Sequence, residues 1–551
     1  MSSIPSADLQ DIPRSTGGTG QPAKYRAVAA AVLTLLVFQI ALNLSYRLHG
    51  YPTLIMPAAG LALAGAVLFY RVRYTGFPDI FRVLARATAA GILVYLIVER
   101  PDFTLANEDY AYLARYVSWG YWGALAIAAI SLFRPSFIFP AGFFIVSTRY
   151  VVDEVSGFRL SGLDINYMVE MGQFLAISAC LIALARFVDQ RLKASTSFRF
   201  EEAVDLKLLA QCLAFIAIGF HLGNYFWSGI AKLALGPAPW TWAVENQTQN
   251  LVVLAMAKGV LPSGHWPGFT QSLHDGFGSI VSLSNWFVLI TQLLAVVAVL
   301  RVFWLRAASW AYDALHIGIY VFGGLFFWPW IWNNLSVYLA VRGKTDSEIG
   351  WAPKFCCVVA ILLGGTGVFG HSAWLAWWDV TDVKINTVQV QAPDETWVDV
   401  PLSFFVSHSY GVSHGYLDFA ATQGHYAPTR WGSAHDYNRQ LTSGQCIEPP
   451  ALNDVEPADK RERRLDRVGA FLRAHHAKMV ERSSDNRWHN FYFRSHHHPS
   501  NPLMYNRFNS LPVDQISHYR LVTQSACYDL ENGQLRKQVI KEDIVEFPLS
   551  E

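Results

Sequence analysis

Apolar residues run in long blocks through the first part of the chain and then give way to short alternating stretches. Lys24 and Arg26 open the first block, which continues to about Leu44; at about 1.5 Å per residue it is long enough to cross a hydrocarbon core of roughly 30 Å. It outruns a signal-peptide h-region and further blocks follow at once, so an uncleaved first span is expected. Other blocks centre near Leu61, Gly91, Leu125, Phe143, Ser178, Ala217, Leu293, Phe322 and Leu362, giving about ten spans in all. Residues 1–24 are rich in Ser, Gly and Pro before that first block and read as a disordered tail. Asp313 to Val341 is too long for one upright helix and contains Pro329, so it reads either as one kinked span or as two short helices. Leu251 to Leu261 is too short to span and is expected to be re-entrant or interfacial.

From about Asp379 the pattern changes to charge, turn residues and alternation, which marks a soluble domain over residues 379–551. Val388 and Val390 alternate with Gln389 and Gln391, Ala392 to Glu395 make a turn, and Val398 and Val400 flank Asp399, a hairpin pattern. His518 to Leu530 and Gln534 to Phe547 flank Asn532-Gly533, a strong signal for a two-residue hairpin turn. Pro457 to Val480 carries Leu465, Val468, Leu472 and Met479 at helical spacing. The expected architecture is an α-helical polytopic membrane bundle over residues 25–378, followed by a soluble β-rich α+β domain with one long helix.

Composition agrees: 52% of the residues are hydrophobic and only 15% charged, far below the share of about 25% in soluble proteins. Lys and Arg number 43 against 42 Asp and Glu, so no excess of positive charge supports nucleic-acid binding. Of the six cysteines, Cys180, Cys212, Cys356 and Cys357 lie in apolar runs, which leaves Cys446 and Cys527 as the pair able to form a disulfide. Basic residues cluster in alternate loops (Arg71 and Arg73; Arg186, Arg191, Lys193 and Arg199; Arg301 and Arg306), placing the amino terminus in the cytoplasm and Lys232 towards the outer leaflet. The side of the carboxy-terminal domain depends on whether the Pro329 segment crosses once or twice.

Candidate chemistry follows from polar residues inside the blocks. At about 100° per residue, His221, Tyr225, Ser228 and Lys232 fall within about 60° of one another and form one stripe. Intramembrane ionisable groups face protein or a wet cavity and are functional candidates, so Lys232 is a candidate base with His221 as its relay. The structural alternative is a lysine snorkelling to the interface. Asp313, His316 and Tyr320 share a second face, on which Asp313 can hold one ring nitrogen of His316; an interhelical structural bond is the alternative. Trp328, Trp330 and Trp332 nearby read first as interfacial aromatics. Arg82, Arg86, Glu99, Arg149 and Glu170 read mainly as structural pairs, with Arg82 or Arg149 as an alternative carboxylate clamp. Histidines are frequent from His408 onward, including His414, His425 and His435 near Asp418 and Asp436, and His496 to His498. The spacing lacks any zinc pattern, so no metal site is expected. No nucleotide-binding or nucleophile-elbow motif is present in its required context.

The segment TyrPheTrpSerGlyIleAlaLysLeu at Tyr225 to Leu233, then Trp240, then AspAlaLeuHisIleGlyIleTyr at Asp313 to Tyr320, resembles the HTTM domain shared by vitamin K-dependent gamma-carboxylase and its bacterial relatives. The resemblance covers about residues 25–378 and implies a membrane enzyme that couples oxygenation of a reduced quinone to carboxylation of a glutamate in a protein or small molecule, with oxygen and carbon dioxide as co-substrates. It implies Lys232 as the base, His316 as a quinone-site residue, and Tyr225, Ser228, Asp313 and Tyr320 beside the quinone. The family enzyme carries a lysine pair where this chain has Ala231 and Lys232, and its soluble region is longer. The alternatives are a non-catalytic quinone- or lipid-binding or transport module, and a quinone-linked oxidoreductase without carboxylation.

Overall fold

The computed structural model describes residues 21–156, 167–192, 203–368, 370–413, 417–420, 433–434, 457–483, 492 and 498–549. The principal helices of the bundle are α1 (Gln21–His49), α2 (Pro52–Leu68), α3 (Asp79–Val98), α4 (Ala111–Ser131), α5 (Ile138–Ser156), α6 (Tyr167–Leu192) and α7 (Leu206–Leu233). After α8 (Asn250–Ala257) come α9 (Pro267–Leu293), α10 (Val302–Gly323), α11 (Trp328–Val341) and α12 (Trp351–Gly364). Six of these, among the described residues, are long and apolar enough to cross a membrane: α1, α3, α5, α6, α7 and α9. The chain is thus a multi-pass membrane protein by helix length and composition, and the expectation of about ten spans is met only to that extent.

The Pro329 segment forms two helices rather than one kinked helix. Gly324 caps α10 in the left-handed region at φ 67°, and Pro329 sits in the first turn of α11, where a missing N–H costs nothing. An added Cβ at Gly324 would stand 2.5 Å from the carbonyl oxygen of Val260, so close approach as well as conformation requires glycine there.

α8, expected to be re-entrant or interfacial, lies between the two parts of the molecule. Val253 and Leu254 pack on Val383, Ile385, Ala526 and Leu530 of the sheet, while Val252 and Ala255 join Phe322 of the bundle. Being covered on both sides, it is apolar all round, and so it looked like a membrane segment.

The carboxy-terminal part is built on a four-stranded antiparallel sheet of order β3-β2-β5-β6, comprising β2 (Asp382–Gln391), β3 (Trp397–Asp399), β5 (His518–Glu531) and β6 (Gln534–Pro548). A separate two-residue ladder pairs β1 (Trp378–Asp379) with β4 (Ser433–Ala434). The Asn532-Gly533 turn has φ of 53° and 72°, as a type I′ hairpin needs. Helix α13 (Ala458–Arg482) lays Val468, Phe471, Leu472 and Met479 against Val388, Val390 and Leu521. Cys527 is disulfide-bonded; Cys446 lies outside the described residues.

The loops gather at two ends. At one, Lys344 bonds Asp79, Lys354 bonds the carbonyl of Leu300, Arg186 bonds that of Gly76 and Arg26 that of Ala203. At the other, the α3–α4 loop meets the soluble domain. Buried Asp102 receives Lys478 and Arg482 at 2.6 Å each, the Thr104 N–H donates to His408 Nε2 at 3.2 Å, and the Thr104 hydroxyl pairs with His475 Nδ1 at 2.7 Å.

Candidate functional site

Helix α7 begins at an aspartate cap, with Asp205 accepting from the Leu208 N–H at 3.0 Å, and ends beside the soluble domain. The predicted stripe does lie on it, but it serves two separate places. His221 and Lys232 are eleven residues apart, a rise of about 16 Å along the helix, so no direct proton transfer joins them.

At the deeper place, Asn334 of α11 is the hub. His221 Nε2 donates to Asn334 Oδ1 at 2.7 Å and the Tyr225 hydroxyl donates to the same oxygen at 3.2 Å. The Asn334 amide nitrogen donates to Asp313 Oδ1 at 2.8 Å, which fixes the amide orientation, since a carboxylate only accepts. The proton on His221 therefore sits on Nε2, and Nδ1 is a bare acceptor, buried and without a partner among the described residues. Aromatic rings surround this network: Tyr225 stacks on Tyr312 at 3.7 Å between centroids, and Trp330 lies within 6.0 Å of His221, Tyr225 and His316.

Asp313 does not hold His316. The His316 Nδ1 donates to the carbonyl of Tyr312, four residues back, at 2.7 Å, because an i−4 carbonyl lies closer to a helical side chain than an i−3 carboxylate whose own partner is on another helix. Tyr320 stands apart, its ring against Phe326.

At the second place, the segment from His371 to Trp377 runs along α7 as an extended strap. Asn224 accepts from the Ala373 N–H at 2.7 Å. Ser228 donates to the Ala373 carbonyl at 3.2 Å and accepts from the Leu375 N–H at 3.0 Å. Lys232 Nζ donates to the Leu375 carbonyl at 2.5 Å and to that of Ser228 at 3.4 Å. Ser228 thus belongs to the strap and not to the aromatic cluster. The lysine is 7% exposed, and its Nζ lies 5.1 Å from the centroid of the Trp242 ring, a cation–π distance.

Just beyond the strap, Asp379 of β1 is buried at 4% exposure. Asn246 donates to its Oδ2 and accepts from its N–H, both at 2.8 Å, and the Trp377 indole donates to Oδ1 at 3.0 Å. Asn250 donates to its carbonyl at 2.9 Å. Burial pushes this carboxyl up to about 6, opposed by the hydrogen bonds of Asn246 and Trp377 and by the charge of Lys232.

Sequence reasoning missed Asn334, Asn224, Asn246 and Asp379. Amides inside apolar runs, as in Trp332-Asn333-Asn334, are the signal that would have found the first two. The charged residues expected to form structural pairs have partners. Tyr46 donates to Glu170 at 2.6 Å, Arg149 to Tyr95 at 2.6 Å, and Trp328 to Glu99 at 3.2 Å; Arg82 bonds Asp79, and Arg86 lies over Tyr74. Of the carboxy-terminal histidines, His408 and His475 hold the α3–α4 loop, while His414, His425, His435, His496, His497 and Asp436 lie outside the described residues. Among the described residues no three His, Cys, Asp or Glu side chains come together as a metal site. Compared with family models, with curated proteins and with solved structures, the chain matches none.

Proposed function

We propose that this is a membrane enzyme of the vitamin K-dependent carboxylase kind, acting on a reduced quinone with Lys232 as base. The observation that carries the reading is the Lys232 amine itself, buried at the end of an apolar helix and bonded to two backbone carbonyls. Carbonyl partners tolerate an amine or an ammonium alike, as a group that gains and loses a proton requires. A reduced quinone, when bound, would supply the electrons for oxygen activation. Beside Lys232 the Trp242 ring, its centroid 5.1 Å from Nζ, offers an aromatic wall to the ring of such a ligand; the His221 cluster, about 16 Å along α7 from the lysine, is a separate place with aromatic walls of its own and an acceptor, His221 Nδ1, left bare among the described residues. Asn334 holds that ring in the accepting tautomer, and the apolar bundle excludes water. Asp313 and His316 flank the same cluster.

We further assign the soluble domain and Lys232 to the side opposite the amino terminus. Counting α2, α4, α10, α11 and α12 as crossings beside the six long helices makes eleven, an odd number. Arg26, Arg186, Lys344 and Lys354 then share the cytoplasmic end, and the disulfide at Cys527 lies in an oxidising compartment.

The test uses purified protein in lipid nanodiscs with vitamin K hydroquinone, oxygen and labelled bicarbonate, for wild type and Lys232→Ala. Quinone epoxide that vanishes in the variant supports oxygenation through Lys232, and label in a glutamate-containing acceptor extends it to carboxylation. No epoxide from folded protein with any quinol offered refutes the reading. The strap contacts favour a second one, in which Lys232 only docks the soluble domain onto a quinone- or lipid-binding module. Quinol binding without turnover, unchanged in the variant, would establish it.

A further inference from the structure

Asp379 is a buried anion without hydrogen-bonding contact to a cation in the described residues, and Lys232 is a buried cation or amine in the same position. They are linked by one short path. The Trp242 ring lies against Lys232 Nζ, its indole N–H donates to the Trp377 carbonyl at 2.9 Å, and the Trp377 indole donates to Asp379. The strap carbonyl that receives the lysine belongs to Leu375, four residues before Asp379. The two groups attract each other electrostatically.

Asp379 is itself held from four directions. Its N–H, its carbonyl and both carboxylate oxygens are bonded. Its main partner, Asn246, is anchored in turn: Asn246 donates to Thr248, Thr248 donates to Asn285, and Asn285 donates back to the Asn246 carbonyl at 2.8 Å. A charge fixed so fully while bonded to no cation among the described residues can act at a distance, and the cation with which it interacts is the Lys232 ammonium.

We propose that Asp379 is a positioning residue for Lys232, pinning the strap that presents the Leu375 carbonyl and supplying the fixed negative charge that governs the reactivity of the amine. The proposal deepens the reading of Lys232 as a reactive group, but its test needs neither quinone nor turnover. A nearby anion favours ammonium over amine, and only the amine attacks an acylating reagent. Removing the charge while keeping the shape therefore makes Lys232 more reactive.

The full-length protein in nanodiscs is trace-labelled with acetic anhydride at pH 7, and acetylation of the Lys232 peptide is read by mass spectrometry relative to that of exposed Lys24. In Asp379→Asn the ratio is expected to rise by up to about twofold, with a lowered unfolding midpoint, because the amide nitrogen replaces an oxygen that accepted a hydrogen bond. Asp379→Glu, which restores the charge, is expected to return the ratio to that of wild type. A ratio in Asp379→Asn equal to wild type overturns the proposal and leaves Asp379 a structural pin, and so does a ratio raised equally in the Glu variant. Should the Asn variant fail to fold, Asn246→Ala is read instead. It keeps the charge but frees the strap, so a changed ratio supports the positioning role and an unchanged one overturns it. Absence of epoxide in the turnover assay would refute the enzyme reading alone.

Discussion

Acidification should release the α3–α4 loop from the soluble domain before either part unfolds. His475 donates from Nε2 to the Phe404 carbonyl at 2.9 Å, so its Nδ1 has to accept from Thr104, and His408 Nε2 accepts the Thr104 N–H. Both acceptor nitrogens are lost on protonation. Burial first, and the charge of Lys478 next, lower His475 from 6.5 to about 3, against the Phe404 bond and the Asp102 charge, with Arg482 acting in the same direction as Lys478. His408 is lowered in the same sense, chiefly by burial. A depressed folded value means that the contribution is fully present above 6.5 and is lost as pH falls towards 3. At about 1.36 kcal/mol per unit, His475 alone gives up about 2 to 3 kcal/mol between pH 7 and pH 4.5, and about 4 to 5 kcal/mol in full. The Thr104 amide reports this directly, because its N–H is the bond to His408. Hydrogen exchange corrected for the intrinsic rate at each pH should show its protection falling about 100-fold between pH 7 and 4.5, while amides in the centre of β5 keep theirs. In His475→Gln the share due to His475 should disappear, leaving the share due to His408. A Thr104 amide equally protected at both pH values would refute the argument.

Asn334→Leu should strand His221, the Tyr225 hydroxyl and Asp313 together, lowering stability by about 2 to 4 kcal/mol, read as unfolding in mild detergent; a loss below about 1 kcal/mol would mean that the hub has been misjudged. Asp102→Asn leaves Lys478 and Arg482 facing a neutral amide and should weaken the loop contact by about 3 kcal/mol, seen as exchange of the same Thr104 amide at pH 7. Gly324→Ala places a methyl against the Val260 carbonyl at a positive φ and should cost more than about 1 kcal/mol, measured by thermal unfolding, with no gain from the helix propensity of alanine. Cys527→Ser should cost the soluble domain about 2 to 5 kcal/mol, and wild type alone should change its electrophoretic mobility on reduction.

What could be read from the chain was what is encoded locally. The apolar blocks, the Asn532-Gly533 turn and the helix from Ala458 were legible because span length, left-handed turn residues and helical spacing each occupy one stretch of sequence. The fate of Leu251 to Leu261 was not, since a helix covered by bundle and sheet is as apolar as one covered by lipid. The partners of the candidate site were also hidden. Asn246 and Asp379 are 133 residues apart, and His221 and Asn334 are 113 apart; nothing local announces such pairings. Angular arithmetic placed His221, Tyr225, Ser228 and Lys232 on one face, but a helix face says nothing about what lies opposite each of its turns.

The split of that face has a geometric cause. Four residues of helix rise about 6 Å, and two residues of extended chain advance about 6.6 Å, so side chains at i, i+4 and i+8 keep step with alternate residues of a strand laid beside them. Asn224, Ser228 and Lys232 have this spacing, and they meet the Ala373 N–H, the Ala373 carbonyl with the Leu375 N–H, and the Leu375 carbonyl in turn. Among the described residues the strap pairs with no strand at this level, and the polar ladder on α7 satisfies its backbone where water is scarce. His221 and Tyr225 lie off the ladder and face α11 instead. One helix thus carries a docking rail and a pair that bonds α11 on adjoining angles. The Leu375 carbonyl at the end of the rail lies four residues before Asp379, so Lys232 holds the strap where it enters the carboxy-terminal domain.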